Sequence, residues 1–332
     1  MSLNRQKILN AGPTYGSQPN MSALDVAFSI HASVEGRFYE ALYPEHEWYK
    51  FLRPEQVKSD ISAGATTYAY VTRDKHGTAA FVGNGPNNNI PKVGQSMGAV
   101  QVPVAVSAVG AQITNEDARQ YQQGFNASLP NDLGDAMRKA CDNLVETSTL
   151  FGSASIGFKS MFNYEGIPSM LVPAGVSGQT EWENKTPTEM ANDIFSAIEF
   201  MWINGRTLFV PNVIGLPMAQ FARIGRTPMV LAGVPLQQTV LEFVIANNIA
   251  KRLRGIELEI IPSKYLAGFG AGGTDRMVLM DRNPDNQCLP FPLPYTMYQP
   301  FPAPLGSEWY SEQKFGSFHV RQQGSMAYFD GI

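Results

Sequence analysis

Chemistry is most strongly hinted at by three glycines in the last third of the chain. Gly268, Gly270 and Gly273, in the run GFGAGG, have the G-x-G-x-x-G spacing that lets backbone amides approach a dinucleotide pyrophosphate. That chemistry also needs a helix N-terminus directly after the third glycine, aimed at the phosphates. The residues that follow, TDRMVLMD, read as a strand, so a turned loop is expected and no cofactor. Gly94, Ser96 and Gly98 (GQSMG) fit the G-x-S-x-G elbow, which presents a nucleophilic serine between a strand and a helix. Here a polar loop precedes the motif and a strand follows it, so the required order is inverted. Asp281, Asn283 and Asp285 resemble the front of a calcium loop, but Pro284, Asn286 in place of the turn glycine and Pro292 in place of the bidentate glutamate break it. His31, His46, His76 and His319 are far apart and none has an i, i+4 ligand partner, so surface or arm positions are expected and no metal site. No catalytic residue is assigned, and the chain is not expected to be an enzyme.

Composition narrows the field further. At 332 residues the chain is long enough for about two domains and a substantial core. Only Cys141 and Cys288 are present, too few for a disulfide framework, and both read as small buried hydrophobes of a reducing compartment, with one optional bridge left open. A net charge of -4 without any Lys/Arg run argues against a dedicated nucleic-acid binder. Charged residues make up 16% of the chain, against about 25% in an average soluble domain. Depletion of charge marks the core of permanent interfaces, which points to obligate assembly; a large Gly/Pro-rich β protein is the alternative. Met1 to Asn10 has no apolar run of signal-peptide length behind it, and Met97 to Ile113 is too short and too often interrupted to span a bilayer.

The elements follow from periodicity. Residues 1 to 60 are irregular, with an aromatic cluster at Phe38, Tyr39, Tyr43, Trp48, Tyr49 and Phe51 that must pack on its own body or on a neighbour. Thr66–Val71 and Thr78–Val82 read as a hairpin turning at Gly77, followed by turn formers over 83–95. Ala99–Val109 alternates as a long strand that Pro103 pushes toward an edge. A helix starts at Thr114 and Asp117 in capping-box style, and Pro130 breaks the chain before the longest amphipathic helix, Leu133–Phe151, which Gly152 ends. Further helices are expected at Pro187–Asn204, capped by Thr186, at Pro217–Ile224 and at Thr239–Arg252. Strands are expected at Thr207–Val210, Ile256–Ile261, Arg276–Met280, Trp309–Ser317 and His319–Phe329, giving an α+β fold with one inserted lobe.

This order of elements resembles the major capsid proteins of tailed bacteriophages with the HK97 fold, from about residue 35 to the end. Its most specific parts are LAGFGAGGTDRMVLMDRNPDNQCLPFPLPYTMYQP, Leu266 to Pro300, and the closing YFDGI, which look like one phage capsid subfamily. The resemblance implies an α+β, HK97-like capsid fold. It comprises an N-terminal arm and lead-in over 1–65, an extended β-hairpin loop over 66–98, a peripheral domain over 99–204 and 303–332 with a spine helix at 132–151, and an axial α/β domain over 205–302. In such proteins the extended loop lies over a neighbouring subunit and the axial domains meet at five-fold and six-fold axes.

The candidate inter-subunit contacts are therefore Lys75, His76, Gly77 and Lys92 on the extension and Gly268, Gly270, Gly273, Asp275 and Arg276 at the axis, with Gly83, Gly85 and Gly94 as hinges. The resemblance implies copies of the chain as partners, in pentamers and hexamers, together with scaffolding, portal and cement or decoration proteins and packaged DNA held by weak contact. It implies no cofactor, no metal and no membrane, and a place in the virion after synthesis in the host cytoplasm. Some capsids of this fold crosslink Lys to Asn, and Lys75 or Lys92 invites that chemistry, but no buried acidic catalyst or partner Asn can be placed beside them from sequence. Without a long, charged, helical N-terminal extension, a separate scaffolding protein or none is expected. Competing readings are an encapsulin-like nanocompartment shell, a soluble α/β enzyme using Ser96 or the Gly268 loop, and another virion component such as a tail protein.

Overall fold

The computed structural model describes residues 45–81, 91–125, 129–231 and 233–332. The arm up to residue 44 and the hinge candidates Gly83 and Gly85 lie outside them. His46–Ile332 forms one unit. It opens with the short helix α1 (Trp48–Phe51) and strand β1 (Val57–Lys58). Phe51 is fully buried and packs edge-on against Phe162 at 5.3 Å, so this part of the aromatic lead-in packs on its own body. Gly215 admits that ring: a Cβ there would stand 2.6 Å from Phe51 Cε1.

A long ribbon follows. Strand β2 (Thr67–His76) pairs antiparallel with the first half of β3 (Gly94–Thr114), in register from Thr67↔Pro103 to His76↔Gly94. The return strand of the hairpin is thus the Gly94 segment and not 78–82, of which residues 78–81 have no strand and Val82 lies outside the described residues. The second half of β3 pairs with β13 (Gly306–Gly316), from Val104↔Gly316 to Thr114↔Gly306. Pro103 sits where β3 changes partner, the position at which a missing ladder donor is least disruptive. With β11 (Leu293–Met297) and β12 (Phe301–Ala303), these strands make one five-stranded sheet.

Helix α2 (Asn115–Phe125) begins as expected, with Asp117 N donating to Thr114 Oγ1 at 3.1 Å. Helix α3 (Leu129–Phe151) starts earlier than expected, because Pro130 falls in its first turn, where the missing N–H has no intrahelical partner to lose. Gly152 ends it at φ 72°, with its N donating to Ser148 O. Met137, Cys141, Val145 and Leu150 form its buried stripe, whereas Leu144 faces outward.

The centre is a mixed sheet ordered β4 (Ser169–Leu171), β15 (Met326–Asp330), β9 (Arg276–Met280), β5 (Val213–Pro217) and β8 (Glu259–Ser263). Alternate residues feed two cores. Met277, Leu279, Ile214, Leu216 and Phe329 face helices α4 (Pro187–Asn204), α5 (Met218–Arg226) and α6 (Val240–Asn247), while Val278, Met280, Val213 and Tyr328 face Phe51, Leu150 and Phe162. Both faces are covered, which is why these strands read as continuous apolar runs. The sheet takes β5, β8 and β9 from 205–302 and β4 and β15 from the flanking segments.

Thr207–Val210 is not a strand, since Arg206 and Thr207 adopt φ of 51° and 62°. The Thr239–Arg252 helix is two, α6 and α7 (Ile249–Arg254), separated by Asn248, whose Oδ1 caps α7 by accepting from Lys251 N at 2.8 Å. A hairpin of β6 (Pro228–Leu231) and β7 (Val234–Thr239) was not anticipated. The closing His319–Phe329 run divides into β14 (His319–Val320) and β15, and β14 joins β10 (Gln287–Pro290) and β1 in a small sheet.

Candidate functional site

None of the catalytic patterns assembles. The GFGAGG run closes in a short turn at Ala271–Gly273 and passes into β9 with no helix at its end. Its amides are spent internally: Gly270 N donates to Thr274 O at 2.7 Å, Gly273 N to Gly270 O and Ala271 N to Asp330 Oδ2 at 3.1 Å. Ser96 lies exposed on β3, opposite Asp74. Asp285 N donates to Asn283 Oδ1, making a turn of the calcium-like run, and no group of three or more His, Cys, Asp or Glu among the described residues is placed to hold a metal. Cys141 and Cys288 are free and buried, and burial raises both thiols above their ordinary range.

Of the histidines, His46 lies in the lead-in as expected, and His319 departs from the expected surface or arm position. His46 Nδ1 stands 2.5 Å from Glu146 Oε2. His319 is partly buried between two phenols, and desolvation, with Lys159 and Arg321 nearby, lowers its pKa to about 4. His76 remains exposed at the ribbon end, opposite Gly94.

The ribbon carries the first group of candidate contacts. Paired residues share a face, so Tyr68, Tyr70, Val100 and Val102 point one way and Ala69, Val71, Arg73, Met97 and Ala99 the other. The first set is partly or fully buried; in the second, Val71 is 69% exposed and Met97 56%. Residues 71–76 and 94–99 are all exposed, as are Lys75, His76, Gly77 and Lys92. Gly77 runs close to the opposite strand, since a Cβ there would meet the Val93 backbone at 3.2 Å. An isolated two-stranded ribbon is marginal in water, and large exposed apolar patches mark interaction sites in general.

The second group sits at the end of the central sheet. Gly268 and Gly273 are exposed and Gly270 is partly covered. Asp275 fastens the loop from beneath, accepting from Gly268 N at 3.0 Å and from Gln220 Nε2 at 3.1 Å. Arg276 lies inside the subunit: it forms a fork with Asp330 and stacks 4.7 Å over the Tyr328 ring. Its reach is inward, and through Nη1 it also donates to Phe162 O.

Sequence reasoning missed two polar clusters. Glu146 accepts from Glu47 N at 2.9 Å, and Glu47 in turn accepts from Ser263 Oγ and Lys264 N, which ties the lead-in to α3 and β8. The signal was a glutamate inside the apolar stripe of α3, beside Val145 and Leu150. Lys185 Nζ pairs with Asp193 Oδ2 at 2.7 Å and donates to Pro173 O, while Trp182 Nε1 donates to the same carboxylate oxygen. Burial raises the Asp193 carboxyl against that pairing.

No helix among the described residues is long and apolar enough to cross a membrane. The sequence matches no curated relative. In solved structures, the fold is shared with the capsid of Myoviridae phage XM1 at 13% identity and TM-score 0.74, covering 95% of this chain and 100% of that one. It is also shared with the Mycobacterium phage Adephagia at 9% identity and TM-score 0.59, over 94% and 98% of the two chains. The capsid of a native GTA particle computed with C5 symmetry matches at 8% identity and TM-score 0.57, over 94% and 99%. These likenesses show the α+β, HK97-type capsid fold. The major capsid protein model matches residues 77–332, from the ribbon end to the last residue, and on that span the chain belongs to the major capsid protein family.

Proposed function

We propose that the chain assembles as pentamers and hexamers into an icosahedral phage head enclosing double-stranded DNA, with no catalytic activity of its own. The observation that carries this reading is the exposed ribbon of β2 and the first half of β3, whose outer face leaves Val71 and Met97 exposed among the described residues. In the proposed shell it lies over a neighbouring subunit, with Lys75, His76, Gly77 and Lys92 at its outer end. The Gly268–Gly273 loop and Asp275 face the ring axis, and 205–302 acts as the axial lobe and 99–204 with 303–332 as the peripheral one. A head-to-tail interface of this kind closes into rings. The five-fold symmetry used for the GTA particle supports pentamers here. The charge of -4 suits a wall that touches DNA weakly. Scaffolding, portal and decoration proteins are the other partners, and synthesis takes place in the host cytoplasm.

Deleting residues 70–92 and following the purified protein by light scattering and negative-stain microscopy tests the reading. The deleted subunit is expected to fold and to make no closed shells. Shells of normal size from the deletion overturn the ribbon's role, and packaged enzymes in place of DNA identify a nanocompartment.

A further inference from the structure

The ribbon leaves the body through a set of polar side chains that join β2 to the segment around His319 and Arg321. Tyr68 and Tyr70 occupy alternate positions of β2 and point to the same face. Tyr70 Oη meets His319 Nε2, and Tyr164 Oη lies 3.0 Å from His319 Nδ1. Arg321 Nη2 donates to Tyr68 Oη at 2.8 Å, and its guanidinium lies 5.2 Å over the Tyr70 ring. Arg321 is itself held by Nη1, which donates to Pro284 O at 3.1 Å. A neutral imidazole has one donor and one acceptor, so one phenol donates to His319 and the other accepts from it. Beyond Tyr70 the ribbon is exposed on both strands, and Thr72 Oγ1 bonds to Gly98 O within the ribbon.

We infer that Tyr68, Tyr70, His319 and Arg321 are positioning residues for assembly: they form a clamp that fixes the angle at which the ribbon projects from the subunit. The clamp acts at the root, where a small rotation moves the ribbon end furthest. β2 and the β3 half it pairs with hold together through ten residue pairs of their own, so releasing the clamp frees the ribbon's direction without unzipping it. The geometric claim stands on the subunit alone, whereas its consequence for assembly rests on the proposed capsid reading.

The test uses the full-length subunit, spin-labelled at Lys75→Cys and Asp135→Cys, as wild type, Tyr70→Phe and His319→Gln. The distance distribution between labels is expected to widen in both variants, with the released population up about fivefold to tenfold, the equivalent of one hydrogen bond of this kind. Thermal midpoints should stay close to wild type, and closed shells should become rarer by a similar factor. Tyr164→Phe keeps the ribbon's own contact and is expected to widen the distribution less. An unchanged distribution in whichever of the two variants folds overturns the clamp, whatever the shells do. A widened distribution with normal shells overturns its role in assembly. If the 70–92 deletion itself makes normal shells, the capsid role of the ribbon fails while the clamp measurement stands.

Discussion

Arg276 and Asp330 face each other at the end of the central sheet as a two-point fork, Nε to Oδ1 at 2.6 Å and Nη2 to Oδ2 at 2.8 Å. The pair joins the Gly268 loop to the closing YFDGI, because Asp330 Oδ2 also accepts from Ala271 N and Arg276 carries the carbonyl of Phe162. Side-chain exposures of 8% and 4% put both charges out of water. Removing one partner therefore strands the other. Asp330→Ala is expected to lose about 3–5 kcal/mol in urea unfolding. Replacing both partners, Arg276→Met with Asp330→Ala, should recover a substantial part of that loss, and a double variant as unstable as the losses of Arg276→Met and Asp330→Ala added would count against a coupled pair.

His319 makes stability depend on pH. Its folded pKa is about 4 against an ordinary 6.5, with burial the largest cause. Between these values the unfolded chain takes up a proton that the folded chain refuses, so the contribution is present above pH 6.5 and is lost as pH falls toward 4. The urea midpoint of the wild-type subunit is expected to fall between pH 7 and 5, and His319→Gln should show a flatter profile over that range. Equal slopes in the two proteins would assign the dependence elsewhere.

Helix α4 begins with a complete capping box, in which Glu189 N donates to Thr186 Oγ1 and Thr186 N donates to Glu189 Oε2. Thr186→Ala is expected to cost about 1 kcal/mol. Gly152→Ala should cost more than about 2 kcal/mol, because it combines a left-handed backbone with a steric clash. At φ 72° its Cβ would stand 2.6 Å from Phe158 O. Chemical denaturation of both variants checks the order.

Those two sites also mark what could be read in advance. Thr186 with Pro187 and the glycine after Phe151 are local signals, acting within four residues, and the structure agrees with them. Arg276–Met280 was legible because both sheet faces are covered and every residue of the strand is buried. The ribbon's return strand was not: GQSMG has poor β-propensity and is held in β3 by its pairing with β2, a contact across the chain. The Asn248 break hid because the asparagine caps α7 from within an apolar run. Among the candidate contacts, Lys75, His76 and Lys92 rest on the resemblance and are exposed, whereas the inward turn of Arg276 depended on Asp330, 54 positions away.

The outer face of the ribbon gives the sharpest separation of folding from assembly. Val71 and Met97 lie on the outer face of the ribbon and are exposed among the described residues, at 69% and 56%. Exposed substitutions of this kind alter stability by less than about 0.5 kcal/mol. At the centre of an interface the same positions behave differently, since a buried charge there has no partner and the packing of an apolar anchor is lost. Val71→Asp and Met97→Asp are therefore expected to leave the unfolding midpoint of the free subunit unchanged. They should raise the protein concentration needed for shell formation by about tenfold or more, the equivalent of 1.4 kcal/mol or above per contact. Light scattering against concentration measures this directly. An unchanged assembly threshold in both variants would place the ribbon's outer face outside the inter-subunit contact.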